Sequence, residues 1–210
     1  NAIRIHVSPK DPVAKNIEHA VAHIEMDDKR FFLEDMVRNN EGKKILVFVR
    51  TKVRAERVKK AMERVNLISD TIHSDKLQEE REKTMRSFRK GELSILIATD
   101  VSARGIDIPN VEYVINYDLP ESSENYVHRV GRTGRGNQKG QAVSFYSKEE
   151  KPLLDEIENN LGKPISRISI SKNDYLETVM ATETKENDWK SLMNDQQDQL
   201  KNKRKKKKKK

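Results

Sequence analysis

The stretch ILVFVRTKVRAERVKKAMERV, residues 45–65, decides the fold. Its first five residues are apolar and mostly β-branched, bounded by Gly42 and a polar segment, which is the pattern of a strand buried on both faces. Thr51 follows in a helix N-cap position, and Val53, Val58, Ala61, Met62 and Val65 then recur near helical spacing. A buried strand leading directly into a helix is one half of a βαβ unit.

The same alternation continues outward. Ile68–His73 predicts a strand, and Leu77–Gly91 a helix stopped by Gly91 as its C-cap. Ser94–Thr99 and Val111–Tyr117 predict two more strands. A helix then starts with Ser122 or Ser123 as N-cap, QAVSFYS predicts another strand, and KEEKPLLDEIENNLG a last helix ending at Gly162. The order implies an α/β fold: a parallel sheet covered by helices on both faces, with ligand-binding loops after the carboxyl ends of the strands. Beyond about Ile170 the pattern dissolves into a polar stretch with one marginal helix around Trp189.

Composition narrows the function classes. The chain has 210 residues and no cysteine, which excludes disulfides and thiolate metal sites and is compatible with a reducing, cytoplasmic setting. No apolar run approaches the length of a membrane span. The start lacks an initiator methionine and a signal peptide, so a fragment of a longer protein is expected. The net charge of +8 is local: the last ten residues, KNKRKKKKKK, hold nine of the 42 lysines and arginines, leaving 33 basic against 34 acidic residues before them. A block of that kind gains nothing by folding alone, and it suits a disordered basic tail that meets polyanions.

Three stretches carry candidate chemistry. In ATDVSARGIDIPNV, Thr99 can donate to a phosphate oxygen, Asp100 can accept from a positive group, Gly105 follows Arg104, and Asp107 can accept from a sugar hydroxyl; a plain polar loop would read the same. In HSDKLQEER, Gln78 and Arg81 fall on one helical face. Arg81 sits in a first turn, where the helix dipole disfavours a cation; taken alone a solvated surface arginine is the plainer reading, and a bound anion the other. In YVHRVGRTGRG, Arg132 and Arg135 are three apart, so a helical turn would point both the same way, while Gly131 and Gly134 clear space for a large ligand. Guanidinium forks suit phosphate oxygens. No G-x-x-x-x-G-K-[ST] loop and no acidic pair for magnesium accompany them, so the arginines lack a nucleotide cradle of their own.

Taken in order, the QEER helix, ATDVSARGID and HRVGRTGR resemble the second RecA-like domain of a DEAD-box ATP-dependent RNA helicase, nearest to the bacterial type with a short basic extension. The resemblance covers roughly residues 1–170. It implies an interdomain linker remnant over 1–15, the RecA-like domain over 16–170, and a polar linker and tail over 171–210. It implies that Arg132 and Arg135 reach the γ-phosphate of ATP, bound with Mg2+ mainly by an absent N-terminal RecA-like domain of the same protein. It places Asp107 near the ribose and Gly105 where the loop closes on phosphate. His128 and Arg129 match the pair that meets the first domain and closes the cleft. Thr51, Ser74, Gln78, Arg81 and Thr99 match contacts to the RNA backbone, without sequence readout. Ser74 departs from the glycine common in the family at that position. No metal ligand is implied in this chain. Two other readings stay open: a DNA helicase motor domain of the same superfamily, and a non-enzymatic RNA-binding or annealing module.

Overall fold

The computed structural model describes residues 13–100, 111–134 and 139–181. Gly105, Asp107 and Arg135, and the tail read as disordered, lie outside the described residues. The chain divides into two units, Asn1–Ile170 and Ser171–Lys210.

In the first unit seven strands form one parallel sheet. They are β1 (Ile17–His23), β2 (Ile45–Phe48), β3 (Ser69–Ile72), β4 (Ile95–Ala98), β5 (Tyr113–Asn116), β6 (Gly140–Tyr146) and β7 (Ser166–Ile168). The spatial order is β3-β4-β2-β5-β6-β1-β7. Among the described residues five helices lie between them: α1 (Lys29–Arg38), α2 (Lys52–Arg64), α3 (Gln78–Lys90), α4 (Ser123–Val130) and α5 (Lys151–Leu161). The apolar runs of β2 and β4 are buried at every position, as strands with both faces covered must be.

The connections through α1 and α2 run one way along the strand order, and those through α3, α4 and α5 the other. With right-handed crossovers this puts the two groups on opposite faces. The packing agrees, since α1 meets α2 and α4 meets α5. Helix ends follow the residues expected for them. Thr51 Oγ1 accepts the Arg54 amide at 3.1 Å and Ser122 Oγ accepts that of Asn125 at 3.2 Å. Gly91 and Gly162 end their helices at φ of 80° and 70°, which a residue with a Cβ rarely adopts.

Four elements were not legible from residue pattern. β1 places Ile17 and Val21 four apart with charge between them, so neither alternation nor an apolar run marks it. α1 carries Phe31, Phe32 and Leu33 as a run rather than a stripe, and Asp28 makes no capping bond. β7 is three exposed residues held by pairing to β1. In the second unit a helix spans 172–181, where a polar linker was expected; Ser171 Oγ accepts the Asp174 amide at 3.1 Å and starts it.

Candidate nucleotide and RNA interface

The carboxyl ends of β3, β4 and β2, three neighbouring strands, hold all five residues expected to contact RNA. Thr51 caps α2 after β2 and is exposed. Ser74 is exposed in the turn after β3, and Lys52 reaches across to Asp75 at 2.8 Å, tying that turn to α2. Arg81 Nη1 donates to Gln78 Oε1 at 3.3 Å, so Gln78 orients it as expected. Arg81 Nε is buried without a hydrogen-bond partner among the described residues. Thr99 is buried directly after β4, and its amide makes a long 3.4 Å bond to the Ile72 carbonyl.

Below this surface β3 is secured by carboxylates. Glu56 Oε1 accepts from Thr71 Oγ1 at 2.6 Å and lies 2.8 Å from His73 Nε2. Burial raises the Glu56 pKa, yet the hydrogen bonds from Thr71 and His73 outweigh it and leave the carboxyl below its usual range. Asp70 takes the Thr71 amide at 2.8 Å, Lys59 at 3.0 Å, Lys76 at 2.9 Å and Thr84 at 2.5 Å. Burial again opposes ionisation there, and these donors override it, holding the Asp70 carboxyl far below the ordinary value. β3 is an edge strand, and Asp70 covers one of its open backbone donors, which blunts the edge against stray pairing.

A layer of buried charge runs along the same ends of the strands. Arg129 is 2% exposed. Its Nε and Nη2 grip the two oxygens of Asp100 at 2.6 and 2.8 Å, and Nη1 donates to the Asp118 carbonyl at 2.7 Å and to Asn116 Oδ1 at 3.3 Å. The guanidinium also stacks over Phe48, 5.1 Å from the ring centre. Asp118 carries the layer on by accepting the Arg50 amide at 2.9 Å. Arg50 meets Glu150 at 3.2 Å, and Glu150 meets the fully buried Lys29 at 2.5 Å. Burial depresses the Lys29 pKa and the Glu150 charge opposes that shift. Arg129 thus spends its donors inside its own domain. Of the pair expected to face another domain, only His128 is exposed, because α4 turns the two side chains to different sides.

The arginine segment lies at the other end of the sheet. α4 stops at Val130, with Gly131 as its C-cap, and Thr133 forms a parallel bridge with Val111, ahead of β5. The helical turn expected to align Arg132 with Arg135 is therefore not present at Arg132. Instead Arg132, half-buried, sits between two anchors. Its amide donates to the Arg129 carbonyl at 3.0 Å, and the next residue, Thr133, is buried with Oγ1 donating to the Val111 carbonyl at 2.7 Å. Gly134 has φ of 65°, and a Cβ there would lie 2.6 Å from Ile17 Cγ1. Glycine is required by backbone and by space together.

Sequence reading missed Asn16, Asn116, Asp118 and Thr133. Asp118 and Asn116 had a usable signal, being polar residues at the carboxyl end of a buried strand. Asn16 and Thr133 had none, since their partners are backbone groups distant in sequence. Among the described residues no group of His, Asp and Glu is arranged to hold a metal ion, and no helix is long and apolar enough to cross a membrane.

Residues 28–137 match the helicase conserved C-terminal domain family. Over 168 residues the chain is 40% identical to the ATP-dependent RNA helicase DbpA of Bacillus subtilis, covering 80% of this chain and 35% of that protein. Among solved structures it is similar to E. coli DEAD-box protein SrmB bound to regulator of ribonuclease activity A, with a TM-score of 0.69, 29% identity, and 75% and 92% of the two chains covered. It is similar also to S. cerevisiae Dbp5 bound to RNA and ADP BeF3, with a TM-score of 0.72, 29% identity, and 85% and 48% covered. The chain spans about a third of the length of the curated relatives it matches. By a match that takes in more than half of its length and by its parallel RecA-like sheet, the chain belongs to the helicase conserved C-terminal domain family, of the DEAD-box type.

Proposed function

We propose that this chain is the second motor domain of a two-domain ATP-dependent RNA helicase and works only when an N-terminal RecA-like domain presents ATP and Mg2+ to it. The observation that carries this reading is the gathering of Thr51, Ser74, Gln78, Arg81 and Thr99 on the loops and helix starts that follow three adjacent strands. Hydroxyls, an amide and a guanidinium on one edge can follow a sugar-phosphate backbone, and none is placed to read bases in sequence.

Arg132 and Arg135 supply fixed positive charge to the terminal phosphate. The residues present fit such a ligand: the half-buried Arg132 stands on a backbone braced by its amide bond to the Arg129 carbonyl and by the buried Thr133 beside it. ATP contributes the phosphoanhydride whose hydrolysis drives the cycle, and Mg2+ its counter-charge; Asp107 and Gly105 serve the ribose and the phosphate-facing loop. His128 meets the first domain on closure. Arg129 supports closure from inside, by joining α4 to the ends of β4 and β5. The tail 201–210 adds salt-sensitive attraction to RNA. The setting is cytoplasmic.

The division of labour has a direct test. The purified chain, given ATP, Mg2+ and RNA, is expected to show no turnover above background. Turnover equal to that of an intact two-domain helicase would contradict it.

A further inference from the structure

Both ends of the stretch 134–140 are tied to one residue. The Asn16 carboxamide donates from Nδ2 to the Gly134 carbonyl, and the Gly140 amide donates to the Asn16 carbonyl at 2.9 Å. Asn16 precedes β1, and Ile17 then pairs in register with Gly140. Arg135 lies inside this short stretch.

We propose that Asn16 is a positioning residue that clamps Gly134, two residues after Arg132, to the start of β1. The inference rests on the reading of Arg132 and Arg135 as phosphate contacts. Glycine has more backbone freedom than any other residue, so Gly134 keeps one conformation only if it is held. Asn16 holds one end through its backbone and the other through its side chain, so losing the side chain frees the Gly134 end alone. That end is the one next to Arg132 and Arg135. A shift of about 1 Å in a group that must meet a reacting phosphate costs on the order of 10²-fold in rate. Asn16 also directly follows residues 1–15, expected to link the two domains, so the clamp joins the end of that linker to the arginines.

Two variants test this. Asn16→Ala removes the donor, and Asn16→Asp replaces it with an acceptor facing the Gly134 carbonyl. In the 210-residue chain, amide hydrogen exchange is expected to quicken over residues 132–141 in both variants, more in Asn16→Asp, with the rest of the sheet unchanged. In the two-domain protein, kcat for RNA-stimulated ATP turnover is expected to fall about 10-fold to 10²-fold with the RNA KM unchanged. Unchanged exchange over 132–141 would overturn the clamp, and so would loss of protection across the whole sheet, which would make Asn16 a residue of the fold alone. Arg132→Ala is measured alongside. If it loses turnover while both Asn16 variants keep it, the positioning role falls and the arginine reading stands. If Arg132→Ala itself turns over normally, the arginine reading falls and takes the positioning role with it.

Discussion

The two ends of the sheet hold their candidate residues by different means. At the carboxyl ends of β3, β4 and β2, side chains do the holding: Thr51 caps a helix, Gln78 orients Arg81, and Lys52 meets Asp75. At the amino ends of β5, β6 and β1 it is the segment's own backbone that is held: Thr133 bridges to Val111, the Gly140 amide donates to the Asn16 carbonyl, and the Gly134 carbonyl accepts from the Asn16 carboxamide. Exposed side-chain pairs are weak, about 0–1 kcal/mol each, and adjust readily. That suits a surface meeting an irregular polymer. A segment held by backbone bonds and by glycines without room for a Cβ cannot adjust, which suits a charge that must meet one atom in one geometry. Arg129 joins the two regimes, with its side chain in the carboxyl-end network and its carbonyl holding Arg132.

The widest separation is expected from Arg132→Ala in the two-domain protein. A guanidinium at a transferring phosphate is worth roughly 10³-fold or more in turnover. ATP turnover is expected to fall by about that factor in steady-state assays, while RNA affinity stays within about twofold.

Arg129→Met should break the joint between the ends. It leaves Asp100 partly buried and unpaired, with the Asp118 carbonyl and Asn116 short of a donor. Removing one partner of a buried pair costs about 3–5 kcal/mol, so urea unfolding should show a loss of that order. Arg129→Lys should recover little of it, because a single ammonium cannot grip both oxygens of Asp100 and the Asp118 carbonyl together.

Asp70→Asn tests the carboxyl-end support without touching either candidate contact. Four donors converge on this carboxylate, and the change is expected to cost about 2 kcal/mol at neutral pH. The sign with pH follows from the depressed pKa. The stabilisation is present above the unfolded value, near 3.8, and is lost as pH falls toward the folded one. The variant's stability should therefore converge on that of the parent as pH drops below about 4, as measured by chemical denaturation across pH.

The smallest effect is expected from Arg81→Ala. One backbone contact is worth about 1 kcal/mol, so RNA affinity should fall roughly fivefold in a binding titration, with RNA-independent ATP turnover unchanged.

Much of this contrast was visible in the residues. The buried runs of β2 and β4, the Thr51 and Ser122 caps and the glycines at 91 and 162 each announce themselves within a few positions, because propensity and capping are local. Asp100 as acceptor for a cation and Gln78 as the partner of Arg81 were legible for the same reason. The place of the arginine segment was not. The three-residue spacing of Arg132 and Arg135 suits a shared helical turn until Thr133 is seen to pair with Val111, 22 positions earlier. The inward course of Arg129 was hidden likewise, since whether a guanidinium faces solvent or three acceptors depends on how β4 and β5 lie beside α4. β7 was invisible because its three exposed residues carry no pattern and exist as a strand only by pairing with β1.

Whether the two ends of the sheet serve separate tasks is decided by Arg81→Ala and Arg132→Ala measured singly and together for RNA affinity and for ATP turnover at saturating RNA. Arg81→Ala is expected to move affinity alone, Arg132→Ala turnover alone, and the double variant to show both losses added to within about 0.5 kcal/mol. Either single variant lowering both quantities by similar factors would contradict it.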